Sequence, residues 1–199
     1  GQTLWVGTTG GLEKRDATTG DLQRVFLNTD GLPHNHITAL LNDRQGELWI
    51  GTEKGLAYLN SQGELEVENK EIPEWPRNYS ITVLLSDEQG GLWIGTEKGL
   101  AHRNSQGQWR NYDTVNSKLP ANPITALLND GLGGLWIGSY YYLCLVDDNG
   151  DGRCDIEEAN GGLAHLTSQG ELIIYTMANS ELPEMHIVNL LKDGQGGLW

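Results

Sequence analysis

Phenylalanine occurs once in the 199 residues, cysteine twice and methionine twice, and 13 Lys and Arg face 27 Asp and Glu. Large apolar side chains are scarce while glycine, at 27 residues, stands at about twice its ordinary usage. That balance favours a turn-rich all-β chain over a helical one. No apolar run approaches the roughly 18 residues a membrane-spanning helix needs, so no membrane insertion is expected of this segment. Residues 1–9 lack the basic and apolar regions of a signal peptide, as expected of a processed or excised chain. A formal charge of −14 repels a phosphate backbone and argues against nucleic acid as a partner. No paired Cys or His spacing suits zinc. There is no G-x-S-x-G, P-loop, H-E-x-x-H or dinucleotide fingerprint, so no catalytic residue is assigned.

What the chain does have is a repeat. Leu-Trp recurs at Leu4-Trp5, Leu48-Trp49, Leu92-Trp93, Leu135-Trp136 and Leu198-Trp199, at spacings of 44, 44, 43 and 63 residues. Residues 48–63 and 92–107 agree at 14 of 16 positions, which points to recent duplication. A period in the low forties fits a four-stranded propeller blade or a helical solenoid unit. Strand patterning decides between them. Ile37–Asn42 is short, apolar and partly β-branched, and a turn beginning at Asp43 leads from it into Leu48–Thr52. Asp43, Asp87, Asp130 and Asp193 each stand three residues before a glycine, the signature of a type I turn, and are expected to be structural. A third strand is expected over Leu56–Asn60 and a more polar fourth near Glu64–Glu68. Polarity then rises from first strand to last, as in a blade packed between neighbours. Gly or Pro interrupts every helix-length window.

Pro33, Pro73, Pro120 and Pro183 precede the first strand of each following blade, and three of them lie four residues before Ile37, Ile124 and Ile187. Proline suits a crossover that joins no ladder. The units start near residues 4, 48, 92 and 135, with the next starting at 198. This gives strands two to four of one blade, three full blades, a first strand at Ile187–Leu191 and the start of another second strand. Four blades close if Ile187–Leu191 completes the first; a segment of a longer array is the more natural reading, because terminal repeats are usually atypical caps.

The pattern LWIGT-x-x-GL, a Leu-Pro crossover, I-T-x-L-L-x-D-x-x-G and LWIG again resembles the two-component regulator propeller repeat. The resemblance implies a β-propeller of four-stranded blades. It also implies the setting of that repeat, which is found in periplasmic sensor regions of bacterial hybrid sensor kinases and in extracellular multi-repeat proteins.

The last spacing is longer by about 20 residues, and the excess, residues 143–161, falls in the hairpin between second and third strands. Within it Asp147, Asn149, Asp151, Asp155 and Glu158 occupy positions 1, 3, 5, 9 and 12 of the calcium-loop template, Gly152 permits the sharp bend at position 6, and Arg153 offers its carbonyl. A hard cation gathers six to eight oxygens about one point, which explains the spacing. Ca2+ is therefore the expected cofactor. Its flanks do not read as helices, so a structural ion is expected, not a sensor that opens. Cys144 and Cys154 bracket the loop and are expected to form a disulfide. Calcium and a disulfide both place the protein outside the cytoplasm, extracellular or periplasmic.

His102 and His165 share one repeat position and read as scaffold. His34, His36 and His186 lie in crossovers, which open on the face carrying the second-to-third-strand hairpins. A pocket there would draw on His36, Trp75, Arg77, Tyr140, Tyr141, Tyr142 and His186, with the pairs Glu53-Lys54 and Glu97-Lys98 nearby. The expected function is a non-enzymatic, calcium-stabilised module that binds a protein or small-molecule ligand. A structural segment of an extracellular filament, adhesin or array, partnered by copies of itself, is the alternative, and a propeller lyase or hydrolase is third.

Overall fold

The computed structural model describes residues 2–68, 79–146, 156–193 and 198, with 141–146 and 156–160 described in backbone only. Four antiparallel sheets follow one another along the chain, each built from consecutive strands. The first holds β1 (Thr3–Thr8), β2 (Gly11–Asp16) and β3 (Leu22–Phe26); the second β4 (Ile37–Asn42), β5 (Leu48–Thr52), β6 (Gly55–Leu59) and β7 (Leu65–Val67). The third holds β8 (Ile81–Ser86), β9 (Leu92–Thr96), β10 (Gly99–Arg103) and β11 (Trp109–Tyr112); the fourth β12 (Ile124–Asn129), β13 (Leu135–Val146), β14 (Ile156–Leu166) and β15 (Leu172–Tyr175). The chain divides into two compact units, residues 1–97 with 101–111, and residues 98–100 with 112–199.

In the first unit Leu12, Phe26, Leu32, Ile37, Ile50 and Leu59 pack as one apolar cluster, and Trp49, Leu56, Ile81, Leu92 and Ile94 as a second. Alternation along β5 explains both, since Leu48 and Ile50 point to one cluster and Trp49 to the other. In the second unit Ala126, Leu163 and Leu190 are buried together, flanked by Trp136, Ile187 and Leu198. The glycine of the LWIG motif makes this packing close. A Cβ on Gly51 would stand 2.6 Å from Cγ2 of Ile81, and one on Gly7 2.7 Å from Cγ2 of Ile37; in the second unit Gly138 bears the same relation to Ile187 at 2.6 Å. Each first strand enters with a register shift just after its isoleucine, as at Ile37/Ala39, Ile81/Val83 and Ile124/Ala126. The bulge lets Ile37 and Leu40 pack against the same cluster in spite of their odd spacing.

Three details differ from the sequence expectations. Burial peaks in the second and third strands, β5 being buried throughout, while the first strand β4 is mostly half-buried because it is the edge of its sheet. The turns at Asp87 and Asp130 are not type I: Glu88 has φ of 64° and Gly131 of 84°, both left-handed where type I requires negative φ. Finally, Ile187–Leu191 is not a strand. Beyond it, Lys192 forms an isolated antiparallel bridge with Leu198.

Candidate functional site

The two ends of a blade are built differently. At the end that carries the first-to-second-strand turns, one aspartate per blade fastens the turn. Asp43 Oδ1 accepts the N–H groups of Gln45 (2.9 Å) and Glu47 (2.8 Å), and its Oδ2 accepts Nε1–H of Trp49 (3.1 Å). Asp87 accepts the N–H groups of Gln89 (2.8 Å) and Gly91 (2.6 Å) and meets His102 Nε2 at 2.9 Å. Asp130 repeats this with Leu132, Gly134 and His165. Burial raises the Asp87 and Asp130 carboxyls, but the histidine and N–H hydrogen bonds together outweigh it and hold both below their ordinary value. The imidazoles stack on the repeat tryptophans, His102 on Trp93 at 4.0 Å and His165 on Trp136 at 4.2 Å. In the second blade Tyr58 takes the histidine's place, 4.9 Å from Trp49, and its hydroxyl donates to Glu66 (2.7 Å). That bond, with desolvation added, pushes the Tyr58 phenol up to about 12. Aspartates and repeat-position histidines are therefore scaffold, as their spacing suggests.

The other end varies from blade to blade. The carbonyl of the residue before each first strand accepts an N–H from the residue that follows the LWIGT or LWIGS motif: Glu53 N–H donates to His36 (3.3 Å), Glu97 N–H to Ser80 (3.3 Å) and Tyr140 N–H to Pro123 (3.1 Å). Crossover and hairpin tip therefore share one end of each blade. Thr52 closes its tip by donating to the Gly55 carbonyl (2.8 Å) while accepting the N–H of Lys54 (3.2 Å). At this end of the first unit Glu53 stands between two imidazoles, with Oε1 2.6 Å from His36 Nδ1 and Oε2 3.4 Å from His34 Nδ1. In the second unit Tyr140 stacks on His186 at 3.6 Å and 15°. The expected ligand residues thus fall into separate local groups, each within its own unit. Trp75 and Arg77 lie outside the described residues, and Tyr141 and Tyr142 are placed by backbone alone, opposite Asn160 and Ala159.

The fourth blade's tip is rebuilt. Where Thr52 pairs with Gly55 across a two-residue turn, Ser139 pairs with Gly162, and the ladder continues beyond them from Tyr140↔Gly161 to Val146↔Ile156. At ~3.3 Å per residue, these arms extend roughly 20 Å past Ser139. Asp147, Asn149, Asp151, Arg153, Cys154 and Asp155 lie outside the described residues; Glu158 and Cys144 are on the arms, their backbones opposite Leu143 and Glu157. Both flanks of the loop are strands, which suits a fixed ion better than a hinged helix pair.

One feature was not read from the sequence. Arg103 lies 5.4 Å over the Trp49 ring and 3.6 Å from Glu68, and it lines a shallow cleft with Asp43, Arg44 and Gly91. Aligning the repeats would have flagged it, since Arg103 stands where the second and fourth blades have Leu59 and Leu166.

Sheet order and motif together define blades of propeller type. Comparison with known proteins agrees: residues 31–54, 76–98 and 118–141 match the sequence model of the two component regulator propeller. Among solved structures the chain is similar to the extracellular domain of the hybrid two component system BT3049 from B. thetaiotaomicron (TM-score 0.75, 23% identity, covering 99% of this chain and 24% of that one). The extracellular domain of BT4673 from the same organism is also similar (TM-score 0.73, 25% identity, covering 100% and 24%). Virginiamycin B lyase from Staphylococcus aureus is a more distant likeness (TM-score 0.56, 12% identity, covering 100% and 52%). The chain spans about a quarter of the length of the first two structures. No curated protein matches it.

Proposed function

We propose that this chain is part of an extracellular or periplasmic propeller module of a bacterial sensor, non-enzymatic, which binds a ligand on the end where crossovers and second-to-third-strand hairpins meet. The observation that carries the reading is the contrast between the two ends. Asp43, Asp87 and Asp130 keep one end nearly constant, whereas the other presents a His34–Glu53–His36 cluster, a Tyr140–His186 stack and a hairpin lengthened from two residues beyond the second strand to an arm that runs to Val146. Variation on a fixed scaffold is how binding loops are usually carried. The loop at the end of the long arm holds Ca2+ through Asp147, Asn149, Asp151, Arg153, Asp155 and Glu158, and a Cys144–Cys154 disulfide closes its base. The calcium-loop spacing supports the ion, and the extracellular setting of the similar structures supports the oxidising, calcium-rich environment.

The test is a thermal-shift panel of sugars, amino acids and short peptides, followed by hydrogen exchange with any compound that raises the melting temperature. Protection is expected at the crossovers and at Tyr140 and His186, and Tyr140→Ala or His186→Ala should abolish the shift. Protection confined to the turns fastened by Asp43, Asp87 and Asp130 would overturn the reading.

A further inference from the structure

The third blade departs from the repeat at positions where its neighbours keep to it. Leu59, Leu65 and Val67 of the second blade, and Leu166, Leu172 and Ile174 of the fourth, give way to Arg103, Trp109 and Asn111. The register is shared, because Asn104 N–H donates to the Gln108 carbonyl (3.0 Å) as Asn60 does to Glu64 and Thr167 to Glu171. Arg103 and Trp109 are therefore opposite one another on a single face of β10 and β11, with Asn111 next along it. Ala101 lies on that face and is buried in the cluster that holds Trp49 and Leu56 of the second blade. Each of the three replacements carries a nitrogen, Arg103 Nε, Trp109 Nε1 and Asn111 Nδ2, that is buried without a hydrogen-bond partner among the described residues. Donors left in this way cost free energy, and each calls for a reason.

For Arg103 the reason is a cleft between the second and third blades, inside the first unit. Its walls are the turns after β4 and β8, with Arg44 and Gln45 on one side and Gly90 and Gly91 on the other, and Arg103 lines it from over the Trp49 ring (5.4 Å). Two guanidinium groups face one carboxylate there, that of Asp43, whose oxygens are already engaged: Oδ1 by the N–H groups of Gln45 and Glu47, Oδ2 by Trp49 Nε1–H. Glu68 stands 3.6 Å from Arg103 Nε, outside hydrogen-bond reach. Arg44 is held in place, since its Nη1 donates to the Glu88 carbonyl of the facing turn (3.1 Å). Glu88 has φ of 64°, the positive φ of a non-glycine residue, and backbone strain of this kind gathers at functional sites. The enclosed part of the cleft admits a group little larger than a water molecule.

We propose that this cleft binds the carboxylate of a small acidic ligand, held by Arg103 and Arg44. A guanidinium presents its donors as a planar fork, and a carboxylate fills that fork with two oxygens in the same plane. A carboxylate is slim enough for the narrow space, and its one negative charge balances what two guanidinium groups less the Asp43 carboxylate leave over. A tetrahedral phosphate is bulkier and brings more charge than the lining neutralises. The Trp49 ring under Arg103 shields one face of the guanidinium from water, which strengthens its pairing with an anion. The cleft lies at the end fastened by Asp43 and Asp87, away from the crossovers, so its ligand is a second one, independent of any that the crossover end takes.

Titration of the 199-residue chain with sodium acetate tests this, read by heteronuclear NMR at Trp49 Nε1–H and the N–H groups of Gly90 and Gly91 at constant ionic strength. Acetate should shift these signals saturably, acetamide, its uncharged isostere, should not, and phosphate should bind more weakly than acetate. Arg103→Leu restores the residue of the second and fourth blades, so the fold should hold, and its acetate dissociation constant should rise by about tenfold or more. Arg103→Lys keeps the charge without the fork and should recover binding only in part. Were Arg103 only a staple between blades, its loss would lower the melting temperature and acetate would give no saturable shift in the parent. Tyr140→Ala and His186→Ala should leave acetate binding unchanged, so failure at the cleft and failure at the crossover end are read separately. Linear shifts that acetamide reproduces, phosphate binding as tight as acetate, or a saturable acetate response that survives Arg103→Leu would sink the proposal.

Discussion

A single aspartate per blade performs a local task that depends on its being ionised. Asp87 and Asp130 each accept two backbone N–H groups and one imidazole contact, and their carboxyls are held below the ordinary value of 3.8. A depressed folded-state pKa contributes stability that is fully present above the unfolded value and is lost as pH falls through the folded one. The window is therefore below about pH 4. Asp87→Asn with Asp130→Asn should lower stability at neutral pH by about 1 kcal/mol per site, somewhat less than usual for charged hydrogen bonds because both sites are partly wet. Melting temperatures of the variant should then converge on those of the parent as pH drops from 5 to 3. Parallel curves would show that these carboxylates do not titrate with folding. The Asp-to-Gly spacing made this role legible beforehand. The φ of Glu88 was not legible, because left-handed backbone at a non-glycine position is set by its surroundings, here the Ser86 hydroxyl receiving its N–H and Arg44 donating to its carbonyl.

At the scale of the element, the hairpin of first and second strands is where sequence and structure agree most closely. ITALLN and LWIGT occupy β4 and β5 with the residue bounds their pattern suggests, since β-branching and flanking turn residues act over the same few positions. The reason for the glycine in LWIGT was less visible, because it lies in another blade. Gly51→Ala would drive a methyl to 2.6 Å from Ile81 Cγ2, in a cluster with no room for it. Destabilisation of about 1 to 3 kcal/mol is expected, measurable by urea denaturation. A loss smaller than additive in Gly51→Ala combined with Ile81→Ala, which removes the facing Cγ2 methyl, would separate this clash from a general intolerance of alanine in strands. The candidate site was legible only in pieces. Repeat arithmetic located the long hairpin and the crossover histidines, but the pairing of Glu53 with both His34 and His36, and the stacking of Tyr140 on His186, depend on side-chain placement that periodicity does not encode.

For the molecule as a whole, the proposed ion ties the most extended hairpin to overall stability. Melting should rise by about 5 to 10 °C in calcium at a hundredfold excess over its dissociation constant, relative to chelator, and Asp151→Ala with Glu158→Ala should remove the difference. Equal melting in calcium and in chelator would defeat the calcium assignment. The close seat of Ile37 on Gly7, Ile81 on Gly51 and Ile187 on Gly138 has a different kind of consequence. At each of these three seats an isoleucine at the start of one repeat fills the space left by the glycine of the repeat before it, so these joints follow one pattern. Unequal exchange between gene copies can add or delete a whole period of 44 residues without redesigning a single joint, and the 14 identities in 16 positions between residues 48–63 and 92–107 are what such copying leaves behind.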